Sequence, residues 1–441
     1  IYIYSISLLM LLSEALAVDC HFVSVESVAD AETIRQNCQV ITGGLNIGPL
    51  TDNTTTQHIN LDGVEVIEGR LDCATDDWDT HAYHTLSIST LKNVRSIDCG
   101  TTKTRLQSLS LPNLTTVEEN LYIGSRAKQL TYVDLTSLDT VGGHFIFGPP
   151  NILTFRHVGL RNLTTMSLSS MKIDSLESLT GSSINMSKVE IWGPFPNIDS
   201  VPIGFESVRI VDIRGDTAVT LGSRSSKKVA IQNLHLGYGI SDLKRNDRLD
   251  SLEVDYLELK NGTSIEHLEL DFDNLRSLHI GQYEMNEPLK TITLPPKAVN
   301  WTGGLELYIN SSPDLDLTSL YADDHTGRPI QTWYWPTNIR SIDIRHVPVG
   351  NAFFDPFVSQ QMAPWDSIPA PSTLKSFTIF APADFTNFSC KPFEKLKDMR
   401  RLPTSGWYAC EHFIKISSGA IHKLSMLSLV SAVFGATMLI L

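Results

Sequence analysis

The chain has 441 residues, 42% of them hydrophobic and only 19% charged, with a formal net charge of −14 and no large basic block. That balance argues against nucleic acid as the main partner, and the apolar fraction is enough to bury a large core. Ser, Thr and Asn make the polar surface rich in hydroxyls and amides rather than ions.

In chain order, the first feature is ISLLMLL at residues 6–12, followed by SEALA. An apolar core followed by Ala15 and Ala17 as small residues flanking a cut reads as a secretory signal peptide over residues 1–17, with the mature chain starting at Val18. Six cysteines follow: Cys20, Cys38, Cys73 and Cys99 near one end, Cys390 and Cys410 near the other, with none in the 290 residues between. No C-x-x-C pair suggests zinc. An even number parked at two ends reads as disulfides formed in an oxidising compartment. Pairing neighbours gives Cys20–Cys38, Cys73–Cys99 and Cys390–Cys410, although sequence alone does not fix connectivity.

A repeat begins near residue 61. LSLPNLTTVEENLYIG (109–124) lies on VDLTSLDTVGGHFIFG (133–148) after a shift of 24 positions without a gap. The motif is L-x-x-L-x-x-[VIM], a Gly or polar pair, then an alternating apolar stretch. It starts at Leu61, Ile88, Leu111, Leu135 and Leu160, at spacings of 27, 23, 24 and 25. Periods of 20–30 residues mark a solenoid. Three-residue spacing could suit a helix, but Pro112, Thr115–Thr116 and Gly142–Gly143 oppose one. LYIG and HFIFG instead alternate as short strands do. Each turn is therefore expected to hold a short strand, a bend with inward residues three apart, and Gly124 or Gly148 turning the chain. Stacked turns would share one core and a parallel ladder.

The pattern loosens but continues through VEIWG, VRIVDIRG, LRSLHIG, LELYI, IRSIDI and LKSFTIF. The expected fold is a β-rich solenoid over residues 18–390, with a disulfide cap at 18–45 and an inserted, Pro- and Phe-rich loop at about 345–371. Residues 391–417 would form a closing cap and stalk. An open solenoid exposes a strand edge at each end, which the two terminal cysteine pairs should cover.

Eight N-x-S/T sequons occur, at Asn53, Asn113, Asn162, Asn185, Asn261, Asn300, Asn310 and Asn387. Asn113 in LPNLT and Asn162 in LRNLT hold the same slot of the repeat, which must face solvent if both carry sugar. LSMLSLVSAVFGATMLIL at 424–441 is uncharged, with no Lys or Arg on a following flank. With the small residues before it, residues 418–441 read as a GPI-attachment signal, with Ser418 as lipidation site and Ser417 or Gly419 as alternatives.

Few residues suggest chemistry. DDWDTHAYH places Asp76, Asp77, Asp79, His81 and His84 together, with Asp323, Asp324 and His325 a weaker cluster. Such groups could hold a metal or supply an acid and a base, but no ligand spacing is diagnostic and a polar loop explains them. No G-x-S-x-G, H-E-x-x-H or phosphate-binding Gly loop occurs. The basic run Lys391, Lys395, Lys397, Arg400 and Arg401 reads as a solvated face that could touch anionic groups. Trp78, Trp192, Trp301, Trp333, Tyr334 and Trp335 could stack on sugars; Trp192 and Trp301, beside strands, are expected to be packed.

The order of a signal segment, DCHFVSVESVADAETIRQNCQVITGGLNIG, LDGVEVIEGRL, repeats, DFTNFSC…WYAC and a lipid signal resembles fungal GPI-anchored cell-wall organisation proteins with receptor L-domain-like repeats. That family includes sporulation-specific wall proteins. The resemblance covers nearly the whole chain and is strongest at residues 20–170; Cys390 and Cys410 fit the family's closing cysteines. It implies a right-handed β-helix-like array of leucine-rich-like repeats of about 24 residues, without catalysis or cofactor. It also implies a place on the outer plasma membrane or in the wall, with wall polysaccharide or wall proteins as partners. The loosened repeats at 206–260 and the Pro/Trp-rich segment at 327–371 depart from that pattern. Two alternatives are a carbohydrate-active β-helix enzyme and a receptor-like ligand-binding ectodomain.

Overall fold

The structure, a computed structural model, describes residues 20–413 apart from 49, 51–55, 74–82, 101–104, 158–159, 181–184, 282–287, 311, 324–325, 327, 364–373, 383–386 and 404–406. The two terminal signals, Asn53, Trp78, Asp76, Asp77, Asp79, His81, Asp324, His325, and Ser417, Ser418 and Gly419 lie outside the described residues. The chain divides into two compact units, one ending at Arg276 and one starting at Ser277.

The first unit is a parallel β-solenoid. Val23, Leu45, Leu71, Ile97, Leu121 and Phe145 occupy one register position on successive coils, each paired with the next. Met166, Val189, Val211, Leu234 and Leu257 continue the column. All are buried. Coil lengths read from these pairs run from 21 to 26 residues, bracketing the expected repeat. Two residues along each strand lies a second inward column, including Ile47, Ile123, Phe147, Leu168 and Ile191. Strand side chains alternate between faces, so the residue between the columns points outward.

The three-residue spacing of the motif is a corner. Val64, Leu91, Leu114 and Leu138 each donate their backbone N–H to the carbonyl of the residue three before, Leu61, Ile88, Leu111 and Leu135, at 3.0–3.2 Å. Both apolar residues of every such turn are buried. The Gly pair after it is a bulge rather than a loop. Between Val141 and His144 the register shifts, and a Cβ on Gly142 would fall 2.1 Å from the Glu118 carbonyl oxygen one coil away. Gly148 was expected to turn the chain, yet it keeps ordinary backbone angles. What it supplies is room, since a Cβ there would fall 1.8 Å from Ser169 Oγ.

A second wall carries Ile59, Leu86, Leu109, Val133 and Phe155 in register, and farther along a three-stranded sheet of Ser200–Ile203, Thr217–Leu221 and Ile240–Arg245 plays the same part. At the N-terminal end of the described residues Cys20 is bridged to Cys38. The bridge encloses a helix, Val28–Asn37, whose start is fixed by Ser27 Oγ accepting from the Asp30 N–H. Ala31 and Ile34 are its buried face.

The second unit stacks Leu278, Leu307, Ile342, Phe377 and Tyr408 in the same parallel manner. Its coils are longer, 29 to 35 residues, so the repeat of about 24 residues does not extend here. The reason lies partly in the segment read as an inserted loop at about 345–371, which contains a helix, Asn351–Met362. Phe353, Phe354 and Phe357 of that helix are buried against Trp335, whose Nε1 donates to the Phe353 carbonyl at 2.9 Å. Trp333 and Trp335 are therefore core, not a sugar-facing edge. The segment 391–413 is a helix, Lys391–Asp398, followed by a further ladder strand, Tyr408–Phe413.

One titratable group in the first unit is packed against the core. His157 stacks on Phe155 at 4.6 Å, next in a row of rings with Phe147 and Phe145. Burial pushes its imidazole down to about 4. Because the folded value lies below the ordinary 6.5, the neutral ring's contribution is complete above pH 6.5 and is lost as pH falls through about 4. Urea titrations of wild type and His157→Phe should therefore diverge on acidification, with the wild type losing on the order of 3 kcal/mol more between pH 7 and pH 3. Parallel pH profiles would contradict this placement of the ring.

Candidate functional site

The sulfurs pair as Cys20–Cys38, Cys73–Cys99 and Cys390–Cys410, and no cysteine is free among the described residues. The middle bridge occupies the inward column itself. Cys73 and Cys99 are fully buried on adjacent coils, where Cys73 N donates to the Asp98 carbonyl and Cys99 N to the Tyr122 carbonyl, both at 2.8 Å. Cys410 likewise aligns with buried Ile379 in the second unit. At Cys73–Cys99 a disulfide replaces an apolar contact between neighbouring layers.

Polar chemistry gathers on the outward column of the first unit. Arg70 bridges Asp72 and Asp98. Farther along, Lys188 meets Glu190 at 2.7 Å, and His235 Nδ1 lies 2.6 Å from Glu258 Oε2. Asp212 is the centre of the densest group. It accepts from Arg214 Nε at 3.1 Å, Arg214 Nη2 at 2.9 Å and Lys260 Nζ at 3.1 Å. Burial pushes its carboxyl up, but the hydrogen bonds from Arg214 and Lys260 outweigh burial and hold it below the ordinary carboxylate range. Its own hydrogen bonds to Asp212 raise Arg214 above its usual value.

Aromatic side chains fall on both sides of the wall. Trp301 is buried, as its place beside a strand predicts. Trp192 is not, contrary to the same expectation: 47% of it is exposed, with the Arg214 guanidinium 5.5 Å from its ring centroid. Strand alternation explains the difference, since Val189 and Ile191 point inward and leave Glu190 and Trp192 outward. That signal was present in VEIW. Tyr238, not singled out from sequence, is 69% exposed.

Of the acidic clusters, His84 and Asp323 are described: His84 is buried within the strand His84–Ser87, and Asp323 ends the strand Tyr321–Asp323. Among the described residues no group of three or more His, Cys, Asp or Glu is placed to hold a metal ion. His144, between Gly143 and Phe145, is bonded to Thr165 Oγ1 on the next coil at 2.6 Å. A cavity of about 500 Å³ opens beside Phe22, Gly43, Gly44, Gly69, Arg70 and Arg95; its two arginines already pair with Asp72, Asp98 and Glu119.

Asn113, Asn162, Asn185, Asn300 and Asn387 are exposed, while Asn261 and Asn310 are half-buried. Asn113 and Asn162 do not share a slot of the coil as their spelling suggests: Asn162 aligns with Thr140 and, through it, Thr116, whereas Asn113 lies in the corner between Leu111 and Leu114; both face solvent. The basic run is not a uniform solvated face. Lys397 Nζ sits 4.4 Å over the Tyr408 ring, and buried Arg401 donates to the Ala363 carbonyl. Among the described residues no helix is long and apolar enough to cross a membrane. No protein-family model, characterised protein or solved structure matches the chain.

The Asp212 cluster yields a stability test. A carboxyl held below its ordinary 3.8 contributes fully above that value and loses its contribution as pH falls through the depressed folded value. Asp212→Asn should cost about 1 kcal/mol at pH 7, and the deficit should vanish in strong acid. A deficit independent of pH would show that the charge is not what the cluster uses.

Proposed function

We propose that this chain is a GPI-anchored, N-glycosylated cell-surface protein that supports fungal cell-wall organisation by scaffolding or binding, without catalysis. The observation that carries the reading is that all six cysteines pair as three disulfides, the middle one fully buried between adjacent coils. A covalent rung in a buried column requires an oxidising folding environment, which agrees with the export and lipid signals in the sequence. The solenoid supplies a long run of outward positions whose charges are mutually compensated. Such a wall suits holding partners in register better than polarising a substrate, a task that needs titratable groups with shifted affinities converging in one cleft. Wall polysaccharide or wall proteins are the partners this reading names, at the outer face of the plasma membrane or in the wall.

Treating intact cells with a phosphatidylinositol-specific phospholipase should release the chain as a glycosylated species. Ser418→Leu combined with Ser417→Leu and Gly419→Leu should abolish that release. Complete retention of the wild type after phospholipase and detergent washing would contradict a lipid-held form.

A further inference from the structure

Two aromatic side chains of the first unit stand out from the solenoid with a cation between them. Trp192 ends the strand Asn185–Trp192 and is aligned with Arg214 on the next coil. One coil farther, the Tyr238 carbonyl accepts from Gly215 N at 2.7 Å. Trp192 and Tyr238 are thus two layers apart, ~10 Å at the usual strand spacing. Neither ring is loosely held. Arg214 lies against the indole and is itself clamped by both oxygens of Asp212. The Tyr238 ring rests on Gly262 of the following coil, where φ is +75° and a Cβ would fall 2.6 Å from Tyr238 Cδ2. Between the two rings the floor is bare backbone: a Cβ on Gly215 would fall 2.6 Å from Gly193 Cα.

We propose that Trp192, Arg214 and Tyr238 form a binding strip for a neutral oligosaccharide chain. The rings offer apolar faces to the C–H faces of two sugar units, and Arg214 offers hydroxyl-binding donors between them. Arg214 commits Nε and Nη2 to Asp212 and retains further N–H donors. Charge selects the ligand class. Along this outward column Glu190, Asp212 and Glu258 stand against Lys188, Arg214 and Lys260, so the strip presents no net charge to an anion or a cation. A protein partner fits less well. A stable protein interface buries about 800 Å² on each side around a dry centre, whereas here two isolated rings sit among Glu190, Asp212, Lys188 and Lys260. Rigid rings that give up little rotamer freedom suit a weakly hydrophobic polyol.

This strip deepens the surface-protein reading and takes from it only the choice of probes. The test uses the purified full chain in detergent, titrated with hexaoses of β-1,3-linked glucose and of β-1,4-linked N-acetylglucosamine, and followed by calorimetry and tryptophan emission. One hexaose should bind and shift the emission. Trp192→Ala or Tyr238→Ala should each weaken binding at least tenfold with an unchanged circular dichroism spectrum. Trp407→Ala, which removes a ring 71% exposed in the second unit, should change affinity less than twofold. Binding that survives Trp192→Ala/Tyr238→Ala would overturn the proposal. A chain that phospholipase releases but that binds neither hexaose would overturn the strip and leave the surface-protein reading standing. Hexaose binding by a chain that phospholipase does not release would do the reverse.

Discussion

Backbone hydrogen bonds between successive coils hold each inward side chain over its counterpart in the next layer, and the rest of the first unit follows from that register. A single coil has too short an apolar row to bury by itself. Stacked in register, Leu71, Ile97, Leu121 and Phe145 cover one another and become a column. Side chains alternate with a period of two, so a slip of one residue would turn the whole column toward water. Coils of unequal length are tolerated because differences are absorbed at corners and bulges, as between Val141 and His144, while the ladder positions stay aligned.

The same constraint divides labour between the two faces. Inward slots accept apolar side chains or a disulfide, as at Cys73 and Cys99. Outward slots collect groups that interact along the stack, from Arg70 with Asp72 and Asp98 to Asp212 with Arg214 and Lys260. A surface assembled one residue per coil is extended and regular, and its chemistry depends on which side chains happen to share a column. That is why a binding strip, rather than a cleft, is the natural site for such a wall.

How much of this was legible in the sequence depended on whether local spelling and tertiary contact agreed. From Leu61 to Phe147 they agree: the three-residue corner, the Gly pair and the alternating strand each have one structural role. At the next copy they part, because Leu163 pairs with Val141 and Met166 with Phe145, where the spelling lays them on Leu138 and Val141. Past residue 180 the strands remain readable, but the corners lose their Leu spelling because other turns replace them. The helix at Asn351–Met362 was hidden by Pro356 inside it and by an aromatic run that resembles a loop cluster. Its stability comes from Phe353, Phe354 and Phe357 packing on Trp335, a contact no local pattern announces. Trp192 was misread by residue type; its parity within VEIW placed it correctly outside. The Asp212 cluster was beyond reach, because its partner Lys260 is 48 residues away in sequence.

The most direct test of the stacked-coil account is engineered cross-linking at Ile123 and Phe147, which share a register position one coil beyond the native Cys73–Cys99 bridge. The Cα–Cα separation of that native pair, 4.6 Å, shows that adjacent layers lie within bridging distance. Ile123→Cys/Phe147→Cys should oxidise spontaneously and leave no free thiol, whereas Ile123→Cys/Ile146→Cys, displaced by one residue to the opposite face, should yield two free thiols when titrated after denaturation. Bridging of the displaced pair, or of neither pair, would contradict the register on which the account stands.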